Sequence, residues 1–206
     1  MLGANVVSTS ISSFMSFKLH DGALPADPTK YHQVIGSMQH LSHTQLDVSF
    51  AVNKLSQFMH CPSTTHWYAV KRVLRYLKGI VHLGLFLQKD SPLTLHAFAN
   101  ADWAGNFDDR TSTSVYVVFL GCNPISWSSK KQKTVARSST KVEYWAVATT
   151  TTEINWVHNL LYELHGQSPY TPTIYYDNVS TTYVCANLVF HSRMKHIAID
   201  FHFVRD

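Results

Sequence analysis

The sequence predicts an α/β fold: a mixed sheet with flanking helices, preceded by a small helical segment. Three observations predict it. Apolar residues recur at helical spacing from Tyr31 to Leu77. The period then falls to two between Leu93 and Ser128. A long helical stretch follows, and after it one more short strand. Apolar residues make up 45% of the 206, enough for a buried core and against wholesale disorder.

The elements are taken in chain order. Residues 1–30 carry Gly22, Pro25 and Pro28 among polar residues and read as a loose lead-in. Val34, Ile35, Met38 and Leu41 mark a helix from Tyr31, and Val48, Ala51, Val52, Leu55, Phe58 and Met59 a second from Asp47. Pro62-Ser63 opens a third, with Trp67, Val70, Val73, Leu74 and Leu77 on one face and Gly79 at the expected C-terminal cap. Its other face carries Lys71, Arg72, Arg75 and Lys78, either a solvated face or a phosphate-contacting stripe.

Beyond Gly79, Leu85-Phe86-Leu87 is a candidate short strand. A strand from Leu93 to about Trp103 follows, then Thr113 to Leu120, a turn at Gly121–Pro124, and a strand that starts with Ile125 to Ser128. The three successive strands suggest an antiparallel meander. A helix is expected from about Thr140 to His165, weakened by threonines 149–152 and closed by Gly166. Thr173 to Asp177 reads as a strand, Val179 to Ala186 as a short helix, and Ile197 to the end as another.

Several functions are excluded or disfavoured. No run approaches the ~18 apolar residues of a membrane span, and the Ser-rich start has no basic region before its apolar residues, unlike a signal peptide. A soluble, intracellular protein with no membrane partner is expected. Cys61, Cys122 and Cys185 form no CxxC pair, which argues against disulfides and a cysteine-based zinc site. His191 and His196 give half of a zinc spacing that nothing completes. The net charge of +4 suits a phosphate-facing surface without demanding one.

The informative residues lie at element ends in the second half. Asp102 is near the end of a strand, Glu143 in the first turn of the long helix and Asp177 at the end of the fourth strand. Acids gathered at such ends are where a divalent-metal site would be built. Each also has a structural explanation. Thr140 and Glu143 form a Thr-x-x-Glu capping-box pattern, Asp177-Asn178 could cap the next helix, and Asp102 could be a turn residue. Lys130, Lys131, Lys133 and Arg137, interspersed with serines, are suited either to phosphate contacts or to an exposed turn. Trp103 and Trp127 are expected in the core rather than as base-stacking platforms.

Residues 44–79, "TQLDVSFAVNKLSQFMHCPSTTHWYAVKRVLRYLKG", resemble the segment after the polymerase palm in copia-type retrotransposon (retrovirus-related) Pol polyproteins. Residues 96–147, "HAFANADWAGNFDDRTSTSVYVVFLGCNPISWSSKKQKTVARSSTKVEYWAV", and 173–206, "TIYYDNVSTTYVCANLVFHSRMKHIAIDFHFVRD", resemble the RNase H domain of the same polyproteins. The resemblance implies a loose lead-in over 1–30, a helical reverse transcriptase connection fragment over 31–91 and an RNase H-like domain over 92–206. It also implies an RNA–DNA hybrid as partner, possession of two Mg²⁺ ions held by four carboxylates, and a place beside the rest of the polyprotein. The compartment would be the cytoplasm, a virus-like particle or the nucleus. No Tyr-x-Asp-Asp occurs, so DNA synthesis by these residues alone is not expected.

The carry-over reveals departures. The family strand ends Asp-Ala-Asp-Trp-Ala-Gly, and its first Asp bridges the metals; here the segment starts with Asn100. The second Glu of Ser-Ser-Thr-Glu-Ala-Glu-Tyr survives as Glu143, and the Asp-Asn strand end as Asp177-Asn178. The last acid, in Lys-His-Ile-Glu-Ile-Asp, is replaced by Ala198. Asp102 lies about 6.6 Å along the strand from Asn100, far beyond a Mg–oxygen bond of about 2.1 Å. Asp200, if its stretch is helical, is turned about 200° from Ala198. The resemblance therefore implies an impaired hybrid ribonuclease, or else a non-catalytic nucleic-acid-binding remnant of a decayed element.

Overall fold

The computed structural model describes residues 3–12, 16–166 and 170–186. The chain divides into two compact units: residues 1–86 with 106–109, and the remainder from Leu87 onward.

The first unit is helical. Asp27 accepts the Thr29 and Lys30 amides and caps α1 (Pro28–Leu41), whose first residue is a proline with no amide hydrogen to leave unsatisfied. Helices α2 (Leu46–Ser56) and α3 (Thr64–Gly79) follow. Tyr31, Ile35, Val48, Leu55, Val70 and Val73 are fully buried between them, and the Tyr31 hydroxyl donates to the Leu55 carbonyl at 2.9 Å. Phe17 from the lead-in joins this core, with Ile11 and Leu19 packed against it. Gly79 is the last helical residue rather than the cap; the cap is Ile80, whose amide reaches the Tyr76 and Leu77 carbonyls. The basic face of α3 is not simply solvated. Arg72 donates to Thr9 at 2.7 Å, Lys78 donates to the Ala4 carbonyl at 3.0 Å, and Lys71 lies 5.4 Å above the Tyr68 ring.

The second unit is built on a sheet of order β3-β2-β1-β4. Strands β1 (Leu95–Asp102), β2 (Thr113–Leu120) and β3 (Asn123–Lys131) form the expected meander. Strand β4 (Thr173–Tyr175) pairs in parallel with β1 and is shorter than the sequence suggested. Gly121 makes the β2–β3 turn at φ +59, where a side chain would collide with Ser91 and the Pro92 carbonyl. Leu85-Phe86-Leu87 is not a strand. These residues are exposed, Phe86 by 87%, and three apolar residues with no partner strand cannot satisfy a ladder.

Helix α4 (Ser139–Glu163) covers one face of the sheet. Ile154 and Val157 pack on Leu95, Ala97 and Val118, and Val142 and Ala146 pack on Ala101. Alanines at alternate positions of β1 let the helix approach closely. The helix runs through Thr149–Thr152, where each hydroxyl is satisfied by the carbonyl four residues earlier, at 2.7 to 3.0 Å, a contact that does not itself strengthen the helix. The helix ends in a Schellman motif whose left-handed residue is His165 (φ 60), not Gly166: Gly166 N–H bonds Leu161 and His165 N–H bonds Tyr162. Helix α5 (Val179–Ala186) completes the described elements. Among the described residues, five helices and a four-stranded mixed sheet, with helices preceding the sheet, make an RNase H-like fold. The helix expected from Ile197 lies outside the described residues, as do Ala198, Asp200, His191 and His196.

Candidate functional site

Alternation along β1 sends Ala97, Ala99 and Ala101 toward α4, leaving Phe98 and Asn100 exposed on the other face. Phe98 pairs with Tyr175 of β4, and their rings stack at 5.2 Å. Two residues further along each chain, Asn100 and Asp177 line one depression in that open face.

Glu143 approaches the same end of the sheet from α4. It is only 7% exposed, and its Oε1 accepts the Ala101 amide at 3.2 Å. Its Oε2 is buried with no hydrogen-bond partner. Burial raises the Glu143 pKa above the ordinary glutamate value; the Ala101 amide pulls it down, and the Asp177 charge pushes it up again. Asn100 and Asp177 thus share one depression, and the Asp177 charge reaches Glu143. Their arrangement offers two carboxylates and an amide, with one carboxylate oxygen unsatisfied.

Two structural explanations open at the sequence level are now decided. The Thr140–Glu143 capping box does not form: the N-cap is Ser138, and the Glu143 carboxylate is spent on β1. Helix α5 is capped by Asn178, whose Oδ1 accepts the Thr181 amide at 3.0 Å, so Asp177 is not needed for that purpose. Asp102 behaves differently. Its Oδ1 accepts the Thr113 amide, and its other oxygen faces Gly105 so closely that a Cβ there would strike it. Its carboxylate serves the β1–β2 connection.

Lys130, Lys131 and Lys133 line a separate cavity with Trp145 of α4, while Arg137 is exposed just before that helix. Trp103, expected in the core, is 54% exposed, because its ring turns outward to donate from Nε1 to the Ala136 carbonyl at 3.1 Å. Sequence reasoning missed the roles of Trp145 and Gln132 in the lysine-lined cavity. The one available signal was the spacing of Lys141 and Trp145, four apart on a helix and stacked here at 4.7 Å.

Among the described residues no group of three or more His, Cys, Asp or Glu could hold a metal ion. The unsatisfied Glu143 oxygen, with the Asp177 charge acting on the same carboxyl, attracts a proton or a cation.

Over its full length the chain is 54% identical to the retrovirus-related Pol polyprotein from transposon RE2 of Arabidopsis thaliana, covering 14% of that protein. It is 53% identical to the corresponding polyprotein from transposon RE1 of the same plant, again covering 14% of it. The chain belongs to the copia-type retrotransposon Pol polyproteins. A third such polyprotein, from transposon TNT 1-94 of Nicotiana tabacum, is 36% identical over 85% of this chain and 13% of its own length. No protein-family model matches the chain. The chain therefore spans only a small part of the length of these three polyproteins. None of its described helices is long and apolar enough to cross a membrane.

Proposed function

We infer that the second unit is the RNase H domain of a Pol polyprotein, still able to contact an RNA–DNA hybrid but impaired in two-ion cleavage. The observation that carries this reading is Asn100. It stands beside Asp177 and one residue from the backbone amide that holds Glu143, where the family strand has its bridging aspartate. In the family, Mg²⁺ activates the attacking water and stabilises the leaving oxygen. An amide at the bridging place supplies neither the charge nor the second shared oxygen that this chemistry needs. Residues 31–91 are read as the reverse transcriptase connection fragment, with the lead-in before them.

The test is cleavage of a labelled hybrid in Mg²⁺ by the chain as it stands, by Asn100→Asp, by Ala198→Glu and by the double variant. Background cleavage by the unaltered chain and clear recovery in the double variant are expected. Robust cleavage by the unaltered chain would overturn the impairment and direct attention to Asp102. The second reading, a remnant that binds nucleic acid without cleaving it, is favoured by the lack of a three-acid group among the described residues. It predicts salt-dependent hybrid binding with no recovery in any variant. Replacing Lys130, Lys131, Lys133 and Arg137 by alanine should weaken that binding and flatten its salt slope. A chain with no salt-dependent hybrid binding would instead be a protein-interaction module.

A further inference from the structure

A second cavity, of ≈ 280 Å³, lies between the sheet and α4. Tyr116 of β2, Ser128 and Lys130 of β3, Gln132 and Lys133 of the following turn and Trp145 of α4 line it, and none of its lining residues is acidic. Asn100 and Asp177 line a different depression, on the sheet face that α4 does not cover.

Three kinds of chemistry meet in this cavity. Lys130 and Lys133 are exposed and place two ammonium groups at its rim. Trp145 and Tyr116 are half-buried and give it aromatic walls. The Gln132 amide is fixed, because its Nε2 donates to Ser114 Oγ at 2.7 Å and to the Val142 carbonyl at 3.3 Å. Its Oε1 is left buried without a partner. An unsatisfied acceptor in a native interior calls for a donor. A base amino group would supply one, an aromatic wall accepts the flat base, and the lysines accept a phosphate.

The geometry points to a binding site for one nucleoside monophosphate unit that carries an amino group on its base. This rests on the reading of the unit as a nucleic-acid-facing domain and adds an unpaired-nucleotide site to it. A base still stacked and paired in a duplex cannot enter a concave pocket, so the unit comes from a single strand or from a free nucleotide.

The experiment is a titration of the full chain, in chelator and at low salt, with adenosine 5′-monophosphate, adenosine, an eight-nucleotide adenine-rich single-stranded RNA and a blunt RNA–DNA hybrid. Calorimetry gives the affinities, and circular dichroism monitors folding. Adenosine 5′-monophosphate or the single strand should bind, with adenosine at least about tenfold weaker than its phosphate. Binding of the strand alone assigns the site to single-stranded nucleic acid; binding of both assigns it to the nucleotide unit itself. Lys130→Glu with Lys133→Glu should weaken that binding by tenfold or more. Trp145→Ala should weaken it about tenfold, with Trp145→Phe retaining most of it. Trp145 also packs on the Ala101–Ala146 cluster, so the surface lysine pair is the variant that decides if Trp145→Ala misfolds. Failure of both nucleotide and strand to bind, or binding unmoved by the lysine pair in a folded chain, would overturn the site. Absence of hybrid binding alone, with strand binding intact, would instead overturn hybrid recognition by the second unit and leave this site standing.

Discussion

His66 in the first unit and Glu143 in the second are both titratable, both near the start of a helix and both buried, at 0% and 7% exposure. Their surroundings differ. His66 completes a capping box, its Nδ1 accepting the Ser63 amide at 3.0 Å, and its ring stacks on Phe58 at 4.1 Å. Burial lowers its pKa, against the pull of Asp21. Glu143 satisfies one oxygen on β1 and leaves the other buried and bare beside a second carboxylate. Burial alone does not distinguish structure from function. Nor does an unsatisfied atom, since His66 Nε2 and Glu143 Oε2 are both buried without a hydrogen-bond partner. The neighbour does: the histidine sits against an aromatic ring at a capped helix start, and the glutamate feels the charge of a second carboxylate.

The largest expected effect lies on the histidine side. His66→Ala should destabilise the first unit by about 2–4 kcal/mol, from the cavity beside Phe58 and the lost cap. His66→Gln, which preserves a capping-box residue, should recover about 1 kcal/mol of that. Chemical denaturation followed by a probe in each unit checks both, and equal effects of alanine and glutamine would deny the cap a role.

Glu143→Gln should move the other way, leaving the second unit unchanged or up to about 1 kcal/mol more stable in metal-free buffer, because it removes a charge that is poorly solvated and repelled by Asp177. The pH profiles should separate too. The His66 pKa is lowered, so its neutral form is favoured by the fold; that stability is present above the ordinary value of 6.5 and is lost as pH falls through the folded value. The Glu143 pKa is raised, so its protonated form is favoured; that contribution is complete below the ordinary value of 4.5 and is lost as pH rises through the folded value. His66→Ala and Glu143→Gln should each erase one of these dependences and leave the other.

Asn100→Asp should cost the metal-free second unit a few tenths of a kcal/mol to about 1, by adding a third negative charge to Glu143 and Asp177. A melting temperature that rises in chelator would mean that Asn100 does not share their field. The smallest effect concerns the end of α4. His165→Gly should stabilise by about 0.5 kcal/mol, because glycine adopts the left-handed conformation without the Cβ penalty. A loss of stability there would show that the histidine side chain contributes more than its backbone strain removes.

Much of the fold was legible because periodicity and end signals agreed. Thr113–Leu120 and Val179–Ala186 match their expected bounds, and α4 differs by a residue or two. Strand β3 runs on through Lys131 because it pairs residue by residue with β2, which a run of Ser and Lys does not advertise. Leu85–Leu87 misled because apolar content is local while strand pairing is not. The site was legible in part. The sequence placed Asn100, Glu143 and Asp177 at element ends, and the fold puts Asn100 and Asp177 in one depression, with Asp177 acting on Glu143. The local pattern at Thr140–Glu143 suggested a cap, yet the glutamate is claimed by a strand 42 residues away in sequence. The basic face of α3 resembled the run at Lys130–Arg137 in composition. Only the fold shows that Arg72 and Lys78 hold the chain's own N-terminal segment, whereas Lys130 and Lys133 border a cavity.

Strand β3 forms an outer edge of the described sheet, and such an edge is a template on which a second chain can add a strand. Pro124 offers no amide hydrogen, the register shifts at Val118/Phe119 opposite it, and Lys130 and Lys131 place two positive charges at the far end. A neighbouring copy laid alongside would meet a missing hydrogen bond, a kink and like charges in turn. The same strand that borders the cavity with its lysines therefore also carries features that disfavour edge-to-edge pairing between copies of this segment.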